Sequence, residues 1–533
     1  MLYGDMSRSH SHAGATRRAA ASRTARPAAA AGHAAAAGHA AALAAARALA
    51  LGAVGLALAA IALTAAIPAA AGEVPDTAAV TAGPTGLRPL NKAWTIGAGA
   101  GSGQELAVGR HRWGLDLRLR YINVENVMHL GISPEQTLGS LRLRTRVSLE
   151  YRRSAAVSIF GRLTNEATAT QGCEACDDEI GEVIFENLFV EAVRPWNLPF
   201  AVRAGRQDLF YGDGFLIADG GPLDESRTSY VNGVVITSEL PLWGVEAFWA
   251  RNPRRDNYLP RINNTYTPLI EGDETAWGIF ASRRPAPDGP LRYGLEPYYI
   301  YKRESQAGEA ASIHTVGARL SADFGAIEAV AEAAYQGGRI PEPGGDNDPL
   351  GLLSGPETIS AAGGHARLEA HLGPRVPIDI TGGYILLTGD EVETRNKFEG
   401  WNPVLGRWAQ WSDIFTYALV GDAATPPLYP TLAYWQNLAA PFVKLAWAPA
   451  GPVTFEVKYV WLDALTDRAT FEKISRPDIE YPKHRGEIYG ARVAWRVPGF
   501  VEGHILVERF TPGAFYSQAE DATYLRVELT RSF

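Results

Sequence analysis

The sequence predicts an all-β protein, a transmembrane antiparallel up-and-down β-barrel of about 18 strands. Three observations support this prediction. Stretches of about ten residues alternate between apolar and polar side chains, short turns alternate with long loops, and the chain ends on an alternating strand that closes with Phe533. Because successive side chains of a strand point to opposite faces, each stretch offers an apolar face to lipid and a polar face to a water-filled interior.

The N-terminal region carries a targeting signal ahead of the predicted barrel. Residues 1–48 are rich in alanine with scattered arginines, and an apolar run at 49–67 is followed by three alanines at 69–71. This order predicts a signal peptide over residues 1–71, cleaved near Ala71. The alternative is a retained signal anchor, because the run is long enough to span a membrane. Residues 72–110, rich in Gly, Ala, Thr and Pro, then form a periplasmic segment, and residues 111–533 form the barrel.

The strand 141–152 shows the alternation most clearly. Leu141, Leu143 and Val147 fall on one face, and arginines at 142, 144, 146 and 152 fall on the other. The strand 112–121 repeats the pattern with aromatic residues at both ends of its apolar face, as expected at the two membrane interfaces. The predicted strands are 112–121, 141–151, 156–163, 185–192, 200–206, 233–240, 243–251, 277–283, 293–302, 314–321, 327–335, 366–372, 378–386, 442–448, 453–461, 488–497, 501–510 and 523–533.

The connections between these strands alternate in length. The short ones are rich in Pro, Gly and other turn residues. Outer-membrane barrels place tight turns in the periplasm and long loops outside, with both termini inside, so the strand number is even. We therefore expect short periplasmic turns and long extracellular loops. The longest predicted loops are 252–275, 336–364, 387–441 and 462–485.

A secreted β-sandwich or β-propeller is the soluble alternative. A propeller would show a repeat of blade length, and the sequence shows none. Apolar residues that oppose arginine and glutamate on strand after strand favour the barrel, with outer-membrane lipid around it. Without residues 1–71 the chain keeps 44 basic and 57 acidic residues, a net charge of −13, which argues against nucleic acid as a partner.

The two cysteines, Cys173 and Cys176, form a single C-x-x-C pair in a predicted loop. A structural zinc site would need a second pair of ligands. A local disulfide is the favoured interpretation in an oxidising compartment. A redox-active pair is disfavoured because no thioredoxin-like βαβ pattern surrounds it. We expect no metal and no cofactor.

The inward positions of the first strands carry a dense group of arginines. Neighbouring strands lie about 4.8 Å apart, so these side chains form a basic wall on one side of the lumen. Guanidinium groups bind carboxylate or phosphate bidentately, and rings of basic side chains select anions in pores. The alternative is that inward acids pair with them in salt bridges that stiffen the barrel. The candidate path residues on strands are Arg118, Arg120, Arg142, Arg144, Arg146, Arg162 and Arg203.

A second dense stretch follows, GRQDLFYGDG at 205–214. Its glycines and aspartates predict tight turns at the rim or inside the lumen, and a plain extracellular loop is the alternative. This stretch, the segment YILLTGDE at 384–391 and the aromatic run NKFEGWNPVLGRW at 396–408 resemble the alginate-export family of outer-membrane porins. The resemblance covers roughly residues 112–533. It implies an eighteen-strand barrel with an arginine-rich constriction, and it places Arg206, Asp208, Tyr211 and Asp213 on the family motif.

The resemblance implies passive export of an anionic polysaccharide such as alginate, with periplasmic export components as further partners. The alternative of the same fold is a general or small-anion uptake porin, and a channel of reversed selectivity is also open because inward acids are nearly as numerous as inward bases. An enzyme is disfavoured, because barrel hydrolases need a serine and a histidine within hydrogen-bond reach on the outer wall or rim. On the predicted strands the only outward histidine is His314, at a strand start. A plugged adhesin barrel would suit the aromatic loops but leaves the arginine wall unexplained.

Overall fold

The computed structural model describes most of the predicted barrel domain. It describes residues 106–127, 137–171, 179–218, 230–240, 242–263, 273–283, 292–306, 309–341, 357–373, 377–391, 394, 396–406, 411–414, 436–449, 452–467, 476, 478–516 and 520–533. The predicted signal peptide, nearly all of the segment 72–110, and the Cys173–Cys176 pair lie outside the described residues. Those three predictions therefore stay predictions.

The described chain consists almost entirely of β-strands. A single 3-10 turn, Pro195–Asn197, lies between two of them. The strands are β1 His111–Glu125, β2 Thr137–Arg152, β3 Val157–Gln171, β4 Glu179–Val193, β5 Phe200–Gln207, β6 Val231–Glu239, β7 Trp243–Asn252, β8 Asp273–Arg283, β9 Arg292–Gln306, β10 Glu309–Asp323, β11 Ile327–Ile340, β12 Glu357–His371, β13 Ile378–Leu387, β14 Lys397–Phe398, β15 Leu438–Trp447, β16 Val453–Asp463, β17 His484–Val497, β18 Val501–Pro512 and β19 Ala522–Ser532.

The strands close into a barrel of eighteen. Each strand pairs antiparallel with the next, β13 pairs with β15, and β1 pairs with β19 to complete the ring. The two-residue strand β14 stands apart from the wall and pairs in parallel with the start of β12. All eighteen predicted strands are confirmed. Among the described residues, no helix is long and apolar enough to cross a membrane.

The two faces of the wall differ as the alternation predicts. Large apolar side chains such as Trp113 and Leu143 are exposed on the outer face, where lipid would contact them. Arg118, Arg120 and Arg144 point to the interior and are buried. Near the turn end, Arg531 lies over the rings of Phe500 and Phe533, so its stem covers apolar surface as an arginine at a membrane rim can.

The wall extends further toward the loop end than the sequence indicates. The strand β11 runs to Ile340 and β12 begins at Glu357, so the predicted loop 336–364 is too long. The residues missed there include Gly337, Gly338 and a run of Ala and Gly at 361–364. Small side chains give no apolar alternation to read, and glycine disfavours a strand prediction. Their backbones nevertheless pair in register, because both neighbouring strands continue alongside them.

Candidate functional site in the barrel lumen

Two stretches of chain fold into the lumen, and the first follows β5. In this first lumen segment, residues 208–218, Leu209, Tyr211 and Ile217 are at most 5% exposed. Gly212 and Gly214 adopt positive φ angles of 56° and 77°, which glycine reaches without steric penalty. The prediction of tight turns inside the lumen is confirmed, and the alternative of a plain extracellular loop is wrong.

The second lumen segment, residues 401–414 described at 401–406 and 411–414, packs on the first through a bridge between Ile217 and Leu405. On one side of the barrel, the Lys302 ammonium group of β9 donates to the Val404 carbonyl oxygen at 2.5 Å. On the other side, Asp413 accepts from Arg526 of β19 at 2.7 Å. Because β9 and β19 lie on opposite sides of the ring, the two described parts of this segment contact opposite sides of the lumen.

The arginines of β1 and β2 form a ladder on the inner wall. Arg118 lies directly opposite Arg144, and Arg120 lies directly opposite Arg142, in the antiparallel register of the two strands. Arg146 continues the ladder toward the turn end, where its register partner is Asp116. We call these five residues the arginine ladder. The structure therefore brings together the five strand arginines that the sequence grouped.

Acidic side chains neutralise much of the positive charge of the arginine ladder. Arg120 pairs with Glu528 of β19 at 2.5 Å, Arg144 pairs with Asp116 at 2.9 Å, and Arg146 pairs with Glu186 of β4 at 2.6 Å. Close guanidinium groups repel one another in a low-dielectric interior, so such partners stabilise the array. These contacts are the salt bridges that the alternative interpretation predicts. They do not use every hydrogen-bond donor of the arginine ladder.

Several buried donors on this side of the lumen remain unused. The Nε atoms of Arg144, Arg146 and Arg492 are buried, and none of them donates a hydrogen bond within the part of the chain that the structure describes. A buried unsatisfied donor costs about 1–3 kcal/mol, and more when the group is charged. Anions supply the acceptors that such donors lack. The arrangement can therefore bind carboxylate or phosphate groups along the wall.

Arg526 is a neighbour of the ladder that the sequence analysis missed. It is buried, and its Nε atom donates to the Nε2 atom of His504 at 2.9 Å. The signal was present, because Leu525 and Val527 on either side face outward and period two then points Arg526 inward. Its partner Asp413 carried no such signal, since it lies on a lumen segment rather than on a strand.

The remaining strand arginines lie in separate contacts. Arg162 of β3 approaches both Glu186 and Asp208, at 3.9 Å and 3.8 Å. Arg203 of β5 pairs with Glu191 at 2.8 Å and lies over the Phe189 ring. Arg162 therefore belongs to the edge of the ladder, whereas Arg203 is held against the wall.

The four residues placed by family resemblance have four different surroundings. Arg206 is buried against Asp256 and the Tyr230 ring, which makes it an anchor between the wall and the loop after β7. Tyr211 donates to Glu246 at 2.5 Å. Asp208 accepts from Asn187 at 2.8 Å. Asp213 accepts from Arg367 at 2.6 Å and from Arg319 at 3.2 Å. The structure does not bring these four together at one point.

Asp208 titrates in the neutral range. Burial raises its pKa to about 7, although the nearby Arg162 and the hydrogen bond from Asn187 lower it. The carboxylate of Glu186 raises it further, and Arg146 lowers it. Above this pKa the charge of Asp208 offsets that of Arg162, and below it the neutral carboxyl leaves Arg162 less compensated.

We therefore expect the anion-to-cation permeability ratio to rise when the pH falls from about 8 to about 6, with a midpoint near 7. The measurement is reversal potential in a planar bilayer at a series of pH values. Asp208→Asn should hold the ratio at its low-pH level throughout. Asp390→Asn is the matched control, because burial also raises the pKa of Asp390 to about 7. If the pH dependence of the ratio disappeared in Asp390→Asn and persisted in Asp208→Asn, Asp390 would be its source and the prediction would be wrong.

One group of side chains has the geometry of metal ligands. Glu369, His371 and Asp379, at the turn end of β12 and β13, bring one ligand atom each within 4.8 Å of one another. His371 is already hydrogen-bonded to Asp379 at 2.7 Å. These groups are only partly buried and pair with each other, so the expectation of no metal stays a prediction.

The chain was compared with known proteins by sequence and by structure. No family model and no curated protein matches its sequence. Its structure is similar to that of OccAB1 of Acinetobacter baumannii, with 10% identity, a TM-score of 0.51, and coverage of 80% of this chain and 97% of that one. OccK5 (OpdH) of Pseudomonas aeruginosa is 11% identical, with a TM-score of 0.48 over 80% and 98% of the two chains. The likeness shows a shared fold.

Fold and surface together place the protein. The closed eighteen-strand antiparallel barrel is the fold of outer-membrane porins. Its outer wall exposes apolar side chains while each of the eighteen wall strands hydrogen-bonds to two neighbours, and a closed barrel is the β-structure that can lie in lipid. Membership of the alginate-export family is not supported by these likenesses. The protein is an outer-membrane β-barrel that has the fold of the porins.

Proposed function

We propose that the protein is a passive channel for small anionic solutes, with uptake as the direction and the arginine ladder as the path. The unused buried donors of Arg144, Arg146 and Arg492 carry the proposal. They lie on one wall of the lumen, and we infer that an anion accepts from them when the side chains that cover them shift. Several weak sites in a row let a solute move from one to the next without a deep trap.

The second lumen segment bears on the size of the solute that can pass through the barrel. Its described parts contact β9 at Val404 and β19 at Asp413, so they occupy lumen space at two opposite walls. A polysaccharide chain would have to thread beside this segment as a continuous polymer, whereas a small carboxylate passes it in one step. This geometry favours small-anion uptake over the polysaccharide export that the sequence resemblance implied. We propose no catalytic role.

The test is reversal potential across a salt gradient for the purified barrel and for the triple variant Arg118→Gln, Arg142→Gln, Arg492→Gln. We expect the native barrel to select anions. The variant's anion-to-cation permeability ratio should fall by roughly tenfold, because each charge removed from a water-filled lumen changes the energy of a passing ion by about 1 kcal/mol or less.

A matched control keeps the same change in net charge outside the lumen. Arg283, Arg509 and Arg531 lie near the two rims on the outward phase of their strands, and changing all three to Gln should leave the ratio unaltered. If both variants lowered the permeability ratio equally, the change in net charge alone would explain the effect, whatever the position of the arginines. Liposome swelling with monomeric and polymeric uronate then separates the two solute classes, since passage of the polymer would contradict the size argument.

A further inference from the structure

A row of arginines crosses the outer face of the barrel near its loop end. Arg251 of β7 and Arg303 of β9 are both register partners of Thr275 on β8. Arg303 and Arg339 of β11 are both register partners of Ser312 on β10. The three arginines therefore follow one line of register partners across alternate strands, about 10 Å apart at the backbone. We call Arg251, Arg303 and Arg339 the arginine row.

The row faces away from the lumen and lies just beyond an aromatic band. Trp249 and Tyr301 precede Arg251 and Arg303 by two residues and so share their face. Trp249 is 47% exposed, and the Trp277 ring contacts that of Tyr301 on the same face. Aromatic side chains of this kind mark the boundary between hydrocarbon and headgroups. The arginine row thus lies at headgroup level.

The positive charge of the row is uncompensated. All three arginines are exposed, and none forms an ion pair within the described part of the chain. Elsewhere on the same rim the pattern differs: Arg509 pairs with Asp521, and Glu125 of β1 accepts from Thr523. Within the described residues, the sector of the rim from β7 to β11 therefore carries exposed cations that have no ion pair.

We propose that this sector is a docking surface for a phosphorylated glycolipid of the outer leaflet. Guanidinium groups recognise phosphate through bidentate, charge-assisted hydrogen bonds. The hydroxyl groups of Thr275 and Ser312, between the arginines, can donate to phosphate or sugar oxygens. The aromatic and apolar wall below them accepts the acyl chains. Charge and apolar surface are stacked in the order in which such a lipid presents phosphate and hydrocarbon.

The experiment uses the full chain purified in a non-ionic detergent and titrated with bisphosphorylated lipid A, with bound lipid counted by native mass spectrometry. The variant changes Arg251, Arg303 and Arg339 to Gln. Because each basic residue near an anionic lipid surface contributes modestly, we expect the apparent Kd to rise by roughly tenfold or more. Monophosphorylated lipid A should bind the native protein more weakly than the bisphosphorylated form.

The matched control changes Arg153, Arg283 and Arg292 to Gln, three exposed arginines at the turn end, and should bind like the native protein. The row variant should also keep the native reversal potential, because its residues lie outside the lumen; this readout separates the inference from the proposed channel function. Unchanged lipid affinity in the row variant, or full displacement of the lipid by an equal concentration of inorganic phosphate, would overturn the proposal.

Discussion

Replacing Arg146 with Ala is expected to lower the free energy of unfolding of the barrel by about 3 kcal/mol or more. Its partner Glu186 is fully buried, and it accepts from Arg146 at 2.6 Å and from the Thr164 hydroxyl at 2.7 Å. Without Arg146 the carboxylate loses an ion pair of 2.6 Å, while the Thr164 hydroxyl and the more distant Arg162 remain beside it. A buried charge that loses its partner is strongly destabilising, because water cannot replace the lost interaction.

The measurement is equilibrium urea unfolding in lipid vesicles, followed by tryptophan fluorescence. The double variant Arg146→Ala, Glu186→Gln is the control, since it removes the buried charge together with its partner and should recover most of the stability. A double-mutant cycle with Glu186→Gln alone isolates the coupling between the two side chains. A double variant as unstable as Arg146→Ala would contradict the buried-charge explanation and point to lost packing.

Replacing Asp413 with Ala is expected to increase single-channel conductance. Asp413 holds the second lumen segment to the β19 side of the barrel through Arg526 at 2.7 Å. Breaking a buried pair costs about 3–5 kcal/mol, enough to lower the population of the attached segment by about two orders of magnitude or more. A detached segment narrows the lumen less, so more ions pass.

Two comparisons sharpen this test. Ser412→Ala removes a neutral-to-charged hydrogen bond, to Glu508 at 2.8 Å, and leaves the Asp413–Arg526 ion pair in place, so it should change conductance less. Gln336→Ala loosens the opposite attachment, where Gln336 accepts from the Asn402 backbone N–H at 2.9 Å and donates to its carbonyl oxygen at 2.7 Å. It should act in the same direction as Asp413→Ala. If Asp413→Ala and Gln336→Ala both keep the native conductance, the second lumen segment does not limit ion flow.

The strands and their inward and outward faces could be predicted because both depend on the local sequence. Lipid outside and water inside impose period two on each strand, as in the stretch that places Leu143 outward and Arg144 inward. The arginine ladder followed from the same rule, since neighbouring strands bring inward arginines close together. The rule failed at strand ends such as Gly337 and Gly338, where small residues carry no pattern.

The acidic partners of the arginine ladder could not be predicted from local sequence patterns. Arg120 lies on the first strand and its acid Glu528 on the last, 408 residues apart, and only ring closure brings them together. The family resemblance placed Arg206 and Asp208 on one motif, yet the wall turns Arg206 toward Asp256 and the lumen receives Asp208. Two residues of separation at the end of a strand suffice to send side chains to different surroundings.

The sequence by itself determined the class of fold, the number and faces of the strands, and the basic wall, because each depends on short-range alternation and turn chemistry. Only the tertiary structure decided how the lumen is occupied and how its charges are paired. The second lumen segment contacts β9 through Val404 and β19 through Asp413, and such contacts depend on which walls a folded loop can reach. A closed barrel sets those distances, and no local pattern encodes them.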